Sequence, residues 1–178
     1  VVANLTRGLE ADGLPGAHVM KLNYTPVQHA VDPADGDPAA ARGPVATIGL
    51  HGQLAPLAWT FAQAGGGRLG YVQTAGGALP GGLSRTVAEL RERGLLAAHV
   101  TAGPAYGGER EAISTAGAIA AALDGCDAVV CGPGPGILGS GTVLGHGGLV
   151  ALDSAHAALA LGLPAIVVPR MSSSDPRE

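Results

Sequence analysis

The sequence predicts an α/β fold: a Rossmann-like, open, mostly parallel sheet of about five strands with helices on both faces, plus a short N-terminal β element. Two observations carry this expectation. From Pro44 onward one pattern recurs five times: a short run rich in Val, Ile, Leu or Ala, a glycine-rich loop, then an Ala/Leu-rich segment. Most of the runs are apolar almost without interruption, as strands covered on both faces are, whereas a half-exposed strand would alternate. Strand and helix in alternation build βαβ units, which close right-handedly onto a parallel sheet.

The elements follow in chain order. Residues 1–43 are expected to be an N-terminal segment, the remnant of a small β subdomain, with a strand at 17–24 and a polar, proline-punctuated connector at 32–43. Residues 44–178 hold the Rossmann-like domain, with strands expected at 45–50, 68–74, 95–101, 127–132 and 165–170. Between them, Leu54–Gln63 carries Leu54, Leu57, Ala58 and Phe61 at helical spacing. The segment 84–93 carries Val87 and Leu90 with Glu89, Arg91, Glu92 and Arg93 exposed, and 112–123 and 149–161 are similar. Ser84 is the expected N-cap of the second helix. His156 is expected on the apolar face of the last helix, as a core residue. Cys131 closes the fourth strand and reads as a small buried hydrophobe rather than a nucleophile.

Composition bounds the function classes. The chain has 178 residues, of which 47% are apolar, 30 are Gly and 13 are Pro. That suits one compact domain, able to bury about 70% of its unfolded surface without a metal or disulfide framework. The net charge is -4 and the cations, nine Arg and Lys21, are scattered, so no basic stripe matches a phosphate backbone and nucleic acid is not an expected partner. Cys126 and Cys131, five apart around an apolar run, suit neither a zinc knuckle nor a secreted disulfide framework. A reduced, cytoplasmic protein is expected, with no metal site and no cofactor named by the motifs. The longest apolar stretch, 148–169, is interrupted by Asp153, His156 and Pro164 and falls short of a membrane span. Nothing at the N-terminus reads as a signal peptide. The chain opens at Val1 and closes on a charged stretch, so both ends are open to being cuts.

In open α/β sheets, ligands sit beyond the carboxyl ends of the strands, and the five loops there are the search area. In the first, Gly49 to Pro56, glycine permits close backbone approach and His51 titrates near neutral pH; the alternative is a histidine merely hydrogen-bonded to a neighbouring loop. The second, Thr74 to Thr86, is glycine-rich and holds the Ser84 cap. In the third, Tyr106 precedes Glu109 and Arg110, an acid or base and an anion clamp, or else an exposed first helical turn. The fourth is the richest. Gly134, Gly136 and Gly139 match G-x-G-x-x-G after a strand, but no helix opens at Gly139 and no acidic residue ends a following strand some 20 positions on; Asp153 comes too early. NAD is therefore disfavoured. The loop reads as a nest of N–H groups with Ser140, Thr142 and His146, suited to a phosphate, carboxylate or nucleotide. Arg170, at the carboxyl edge of the last strand, is either a substrate contact or half of a structural ion pair.

Longer strings also carry a likeness. Leu22-Asn23-Tyr24-Thr25-Pro26, Gly49-Leu50-His51-Gly52-Gln53-Leu54-Ala55-Pro56, Gly70-Tyr71-Val72-Gln73-Thr74-Ala75-Gly76-Gly77-Ala78-Leu79-Pro80, Gly103-Pro104-Ala105-Tyr106-Gly107-Gly108-Glu109 and Cys131-Gly132-Pro133-Gly134-Pro135-Gly136-Ile137-Leu138-Gly139 together resemble an uncharacterised, mainly actinobacterial family, domain-of-unknown-function family 3866. The resemblance runs over nearly the whole chain and implies no known activity; members look longer at both ends. A partial likeness over 127–170 is similar to the donor-sugar half of two-Rossmann glycosyltransferases. Those enzymes carry a glutamate in the helix, where this chain offers Asp153, and need a second Rossmann domain.

The expected function is an enzyme or enzyme half that binds a small anionic or phosphorylated metabolite or nucleotide at the carboxyl edge. The catalytic candidates are His51, His146 and Glu109; the binding candidates are Gly134, Gly136, Gly139, Ser140, Thr142, Arg110 and Arg170. The alternatives are a non-catalytic ligand-binding or assembly domain, or a nucleotide-sugar-binding domain. A homo-oligomer is compatible with either.

Overall fold

Short apolar runs separated by glycine turns have one low-energy outcome when helices can cover them: strands buried on both faces. The computed structural model describes residues 32–33 and 36–170 of the chain and shows an open sheet whose strand pairs are all parallel. Its strands are β1 (Asp32–Pro33), β2 (Val45–Ile48), β3 (Leu69–Thr74), β4 (Ala98–Ala102), β5 (Arg110–Ala112), β6 (Ala128–Pro133) and β7 (Ala165–Val168), in spatial order β1-β5-β4-β3-β6-β2-β7. The helices are α1 (Leu54–Gln63), α2 (Arg85–Glu92), α3 (Thr115–Leu123) and α4 (Val150–Ala160). β3 and β6, at the centre, are buried at every position, which is why their sequences do not alternate.

The five expected strands are all present, and the sheet adds two short ones at one edge. β5 lies where a helix start was expected. Its three residues are too few to show a period, and Arg110 and Glu111 are poor strand formers by composition; pairing with Val100 to Ala102 of β4 decides the outcome. Helix α3 consequently begins later than the expected 112, with Ser114 as the cap that accepts the Gly117 N–H. The two residues of β1 lie inside the expected polar connector and supply a short N-terminal β element. The expected strand at 17–24 lies outside the described residues.

Helices α1 and α2 cover one face of the sheet, packing Leu54, Ala58, Val87 and Leu90 on Ile48, Tyr71 and Val130. Helices α3 and α4 cover the other, packing Ile119, Ala122 and Ala158 on Val45, Val72 and Val129. The faces follow from direction. The connections β2→β3 and β3→β4 step toward the β5 edge, whereas β5→β6 and β6→β7 step toward the β7 edge, and crossovers of one hand then put their helices on opposite faces. Strand β6 therefore sends its chain to the α4 face, while its neighbours β3 and β2 send theirs to the other. Crevices open at such switch points, here on both sides of β6.

Two expectations, one on β6 and one on the last helix, part ways. Cys131 is fully buried, and burial pushes its thiol up to about 12, against the pull of a hydrogen bond with Ser154; it is core. His156 is exposed, because Ser154, Ala155 and Ala158 are the residues α4 turns inward. Among the described residues no helix is long and apolar enough to cross a membrane.

Candidate functional site

The loops after β3 and β6 face each other across the β3/β6 crevice and fill it. Leu138 N–H donates to the Gly76 carbonyl (2.9 Å), Ala78 N–H to the Gly136 carbonyl (2.8 Å) and Gly147 N–H to the Leu138 carbonyl (2.7 Å). A Cβ built on Gly134 would stand 2.2 Å from Gln73 Nε2, and one on Gly76 would stand 2.3 Å from the Gly147 carbonyl oxygen. These glycines let two backbones pack directly on each other. The N–H groups of Leu138, Ser140, Gly145 and Gly147 are all taken by carbonyls of these loops, and Ser140 and Thr142 hydrogen-bond each other at the exposed tip (3.0 Å). The expected nest is thus largely closed on itself. Gly134 is buried beneath it, and Gly136 (φ 74°) and Gly139 are exposed on its outside.

Under these loops lies a polar network. His51 Nε2 is 2.7 Å from Ser84 Oγ and His51 Nδ1 is 3.1 Å from Tyr71 Oη, while Tyr71 Oη donates to the Pro133 carbonyl (2.8 Å). With its proton committed to Pro133, Tyr71 accepts from Nδ1–H, which leaves Nε2 to accept the Ser84 hydroxyl proton; the hydrogen bonds assign this tautomer. Ser84 Oγ also accepts the Val87 N–H (3.1 Å) as the N-cap of α2. Burial lowers the His51 pKa, the Pro133 carbonyl opposing it, and burial raises that of Tyr71. His99 stacks on Tyr71 at 5.3 Å between ring centroids and bonds Gln73 Oε1 through Nε2 (3.2 Å). Burial first, then Arg91 and His51, lowers the His99 pKa to about 4. Tyr71, Ser84, Gln73 and His99 escaped the sequence analysis as a group. They are spread over β3, the cap of α2 and β4, and the only available signal was the presence of polar residues within apolar strands.

The other candidates divide. Glu109 is ion-paired with Arg91 (2.8 Å) and accepts the His99 backbone N–H. The guanidinium of Arg110 bonds the Ala121 carbonyl of α3 (2.5 Å), so the two neighbours hold different parts of the fold. Beyond the β2/β6 crevice Arg170 lines two cavities, His146 lining one of them and His51 the other. A cavity of about 280 Å³ is lined by Leu50, Gln53, His146, Gly148, Leu149 and Arg170, among others. A second, of about 600 Å³, is lined by Leu50, His51, Gln53, Pro135, Ile137 and Arg170. The cavities share Leu50, Gln53 and Arg170. Gln53 is fixed by accepting the Gly49 and Leu50 N–H groups and by donating to the Val168 carbonyl (2.8 Å). His146 caps the turn before α4, its Nδ1 accepting the Gly148 N–H (3.0 Å), so its proton, when neutral, sits on Nε2. Neither cavity has an acidic residue in its lining. Among the described residues no group of three or more His, Cys, Asp or Glu could hold a metal ion.

Comparison with curated proteins and with solved structures returns no match. A family model described as "Protein of unknown function (DUF3866)" matches residues 1–178, and the chain belongs to that family across its whole length.

Proposed function

We propose that the recess beyond the β2/β6 crevice binds a small anion, such as a phosphorylated metabolite, a nucleotide or a carboxylate. The observation that carries this reading is the charge of its walls: Arg170 lines both cavities and no carboxylate lines either, with His146 in the wall of one and His51 in that of the other. The turns that open α1 and α4 border the same recess through Gln53, Gly148 and Leu149, and helix N-termini favour negative charge. Both ring nitrogens of His51 are engaged inside the protein, so proton transfer to a bound ligand falls to His146. Binding, then, is the part of the proposal on which catalysis depends. Two buried free cysteines suit a reducing compartment.

Thermal-shift screening with inorganic phosphate, sugar phosphates, nucleotides and dicarboxylates tests the reading. A ligand at 100 times its Kd adds about 2.7 kcal/mol of stability. The expected result is a shift with at least one of these anions that Arg170→Ala removes. No shift with any of them, or a shift indifferent to Arg170→Ala, overturns the proposal.

A further inference from the structure

Arg170 is the one permanently charged residue in the walls of the two cavities, and among the described residues no carboxylate is paired with it. A single fixed cation matches a single negative charge. A second charge on the ligand would lose water without gaining a partner, which is costly.

The polar side chains of the walls narrow the ligand further. They are Gln53, His51, His146 and Arg170, and none of them has an acceptor to spare. Gln53 Oε1 takes two N–H groups, from Gly49 (3.2 Å) and Leu50 (3.0 Å). His51 has both ring nitrogens engaged, with Tyr71 and Ser84. His146 Nδ1 accepts the Gly148 N–H (3.0 Å), so Nε2 carries a proton and donates, and a guanidinium has only donors. The hydroxyls of a sugar and the amino group of a base are donors that need an acceptor, and no Phe, Tyr or Trp lines either cavity to stack a base. What the smaller cavity presents instead is aliphatic surface: Leu50, Val143, Leu149, Ala151, Val167 and Val168 share its lining with His146 and Arg170.

We infer that the recess takes an aliphatic monocarboxylate, its carboxylate held by Arg170 and the His146 Nε2–H and its hydrocarbon tail lying on the aliphatic wall of the smaller cavity. The inference rests on the anion reading above and narrows it. Phosphates and dicarboxylates meet the same guanidinium, but they bring hydroxyls or a second charge for which the wall side chains hold no partner, and so bind more weakly.

Calorimetric titration of the 1–178 chain with acetate, butyrate and hexanoate, and with adipate, hexyl phosphate and ribose 5-phosphate, tests this. A fully buried methylene is worth about 0.8 kcal/mol, or about fourfold in Kd. Val143 and Leu149 are 82% and 46% exposed and leave the tail partly open to water, so Kd should fall about two- to fourfold with each added methylene. Hexanoate should bind at least ~10-fold more tightly than adipate, which has the same length and a second charge, and than ribose 5-phosphate. Arg170→Ala should abolish the binding of every anion. Leu149→Gln, which makes the wall polar, and Ala151→Leu, which fills it, should each flatten the rise with chain length in a protein of unchanged circular dichroism. Adipate, hexyl phosphate or ribose 5-phosphate binding through Arg170 as tightly as hexanoate overturns the inference and leaves the anion reading standing. So does an Arg170-dependent affinity that fails to rise from acetate to hexanoate, or a rise that both wall variants leave intact. No Arg170-dependent binding of any of these anions overturns both.

Discussion

His51 Nε2 and Ser84 Oγ, 33 residues apart in the chain, lie 2.7 Å from each other, and through this bond the turn after β2 is tied to the first turn of α2. Ser84 has a second duty as the N-cap that accepts the Val87 N–H. It is only 4% exposed and lines neither cavity of the recess. The arrangement has the proton order of a serine–histidine nucleophile pair, but the hydroxyl is sealed beneath the loops, and its work is cohesion.

Replacing Ser84 should therefore cost stability before anything else. Ser84→Ala removes a cap worth roughly 0.5–2 kcal/mol and leaves a partly buried His51 nitrogen without its partner, worth roughly 1–3 kcal/mol more. A loss of about 2–4 kcal/mol in urea unfolding is expected from these terms together. Ser84→Thr, which keeps the hydroxyl, should recover most of it. A loss under ~0.5 kcal/mol would show the cap and the histidine bond to be dispensable.

Acid should weaken the fold through two histidines at once. Unfolded histidine titrates near 6.5; in the folded protein His99 is lowered to about 4 and His51 is lowered too. Below about pH 6.5 the unfolded state binds more protons than the native state, so stability falls as pH falls, and it levels off only below the folded values. Above that range both rings are neutral in both states and the contribution is complete. For His99 alone the full effect is on the order of 3 kcal/mol, at about 1.4 kcal/mol per unit. The urea midpoint should drop steadily from about pH 7 to about pH 4.5, and His99→Gln should flatten the profile. A flat wild-type profile would refute the assignment of these rings as neutral.

What the sequence disclosed, and what it did not, follows from the range of the forces involved. Leu54–Gln63 was legible to the residue because Leu54, Leu57, Ala58 and Phe61 repeat at the helical period, and the central strands because they are apolar almost without interruption. β5 was not, since three residues cannot display a period and a glutamate, Glu111, is buried there with its carboxylate taking the Gly107 N–H at 3.0 Å. His156 was misplaced because Ala residues leave the apolar stripe of α4 ambiguous. For the site, His51, His146 and Arg170 were visible in the loops beyond the strand ends; Arg170 lines both cavities, His146 one and His51 the other. The Tyr71–His51–Ser84 chain was invisible, because separations of 20 and 33 residues say nothing about contact until the strand order is known.

Glu109, an early candidate for acid–base chemistry, should prove nearly silent. Its ion pair with Arg91 is solvent-exposed on both sides, 34% and 47%, and exposed pairs contribute about 0–1 kcal/mol. Glu109→Gln keeps an oxygen for the His99 backbone N–H and should change stability by less than ~1 kcal/mol in chemical denaturation. It should also leave any anion-induced thermal shift unchanged. A lost shift would place Glu109 in the binding site after all.

The glycines of the fourth loop separate packing from ligand binding. If Gly134 and Gly139 served a phosphate-binding fingerprint, adding a methyl group to either would impair binding. The geometry sets them apart instead: a Cβ on Gly134 meets Gln73 Nε2 at 2.2 Å, whereas one on Gly139 finds its nearest neighbour, the Gly145 carbonyl oxygen, at 3.6 Å. Gln73 cannot yield cheaply, because its Oε1 holds His99 and its Nε2 holds the Leu79 carbonyl (3.3 Å). Gly134→Ala should therefore cost about 1–3 kcal/mol, the usual range for overpacking a filled core, while Gly139→Ala should be neutral within ~0.5 kcal/mol. Melting curves of the two variants decide it. Equal losses at both positions would mean that the loop's conformation, rather than its contact with Gln73, requires glycine there.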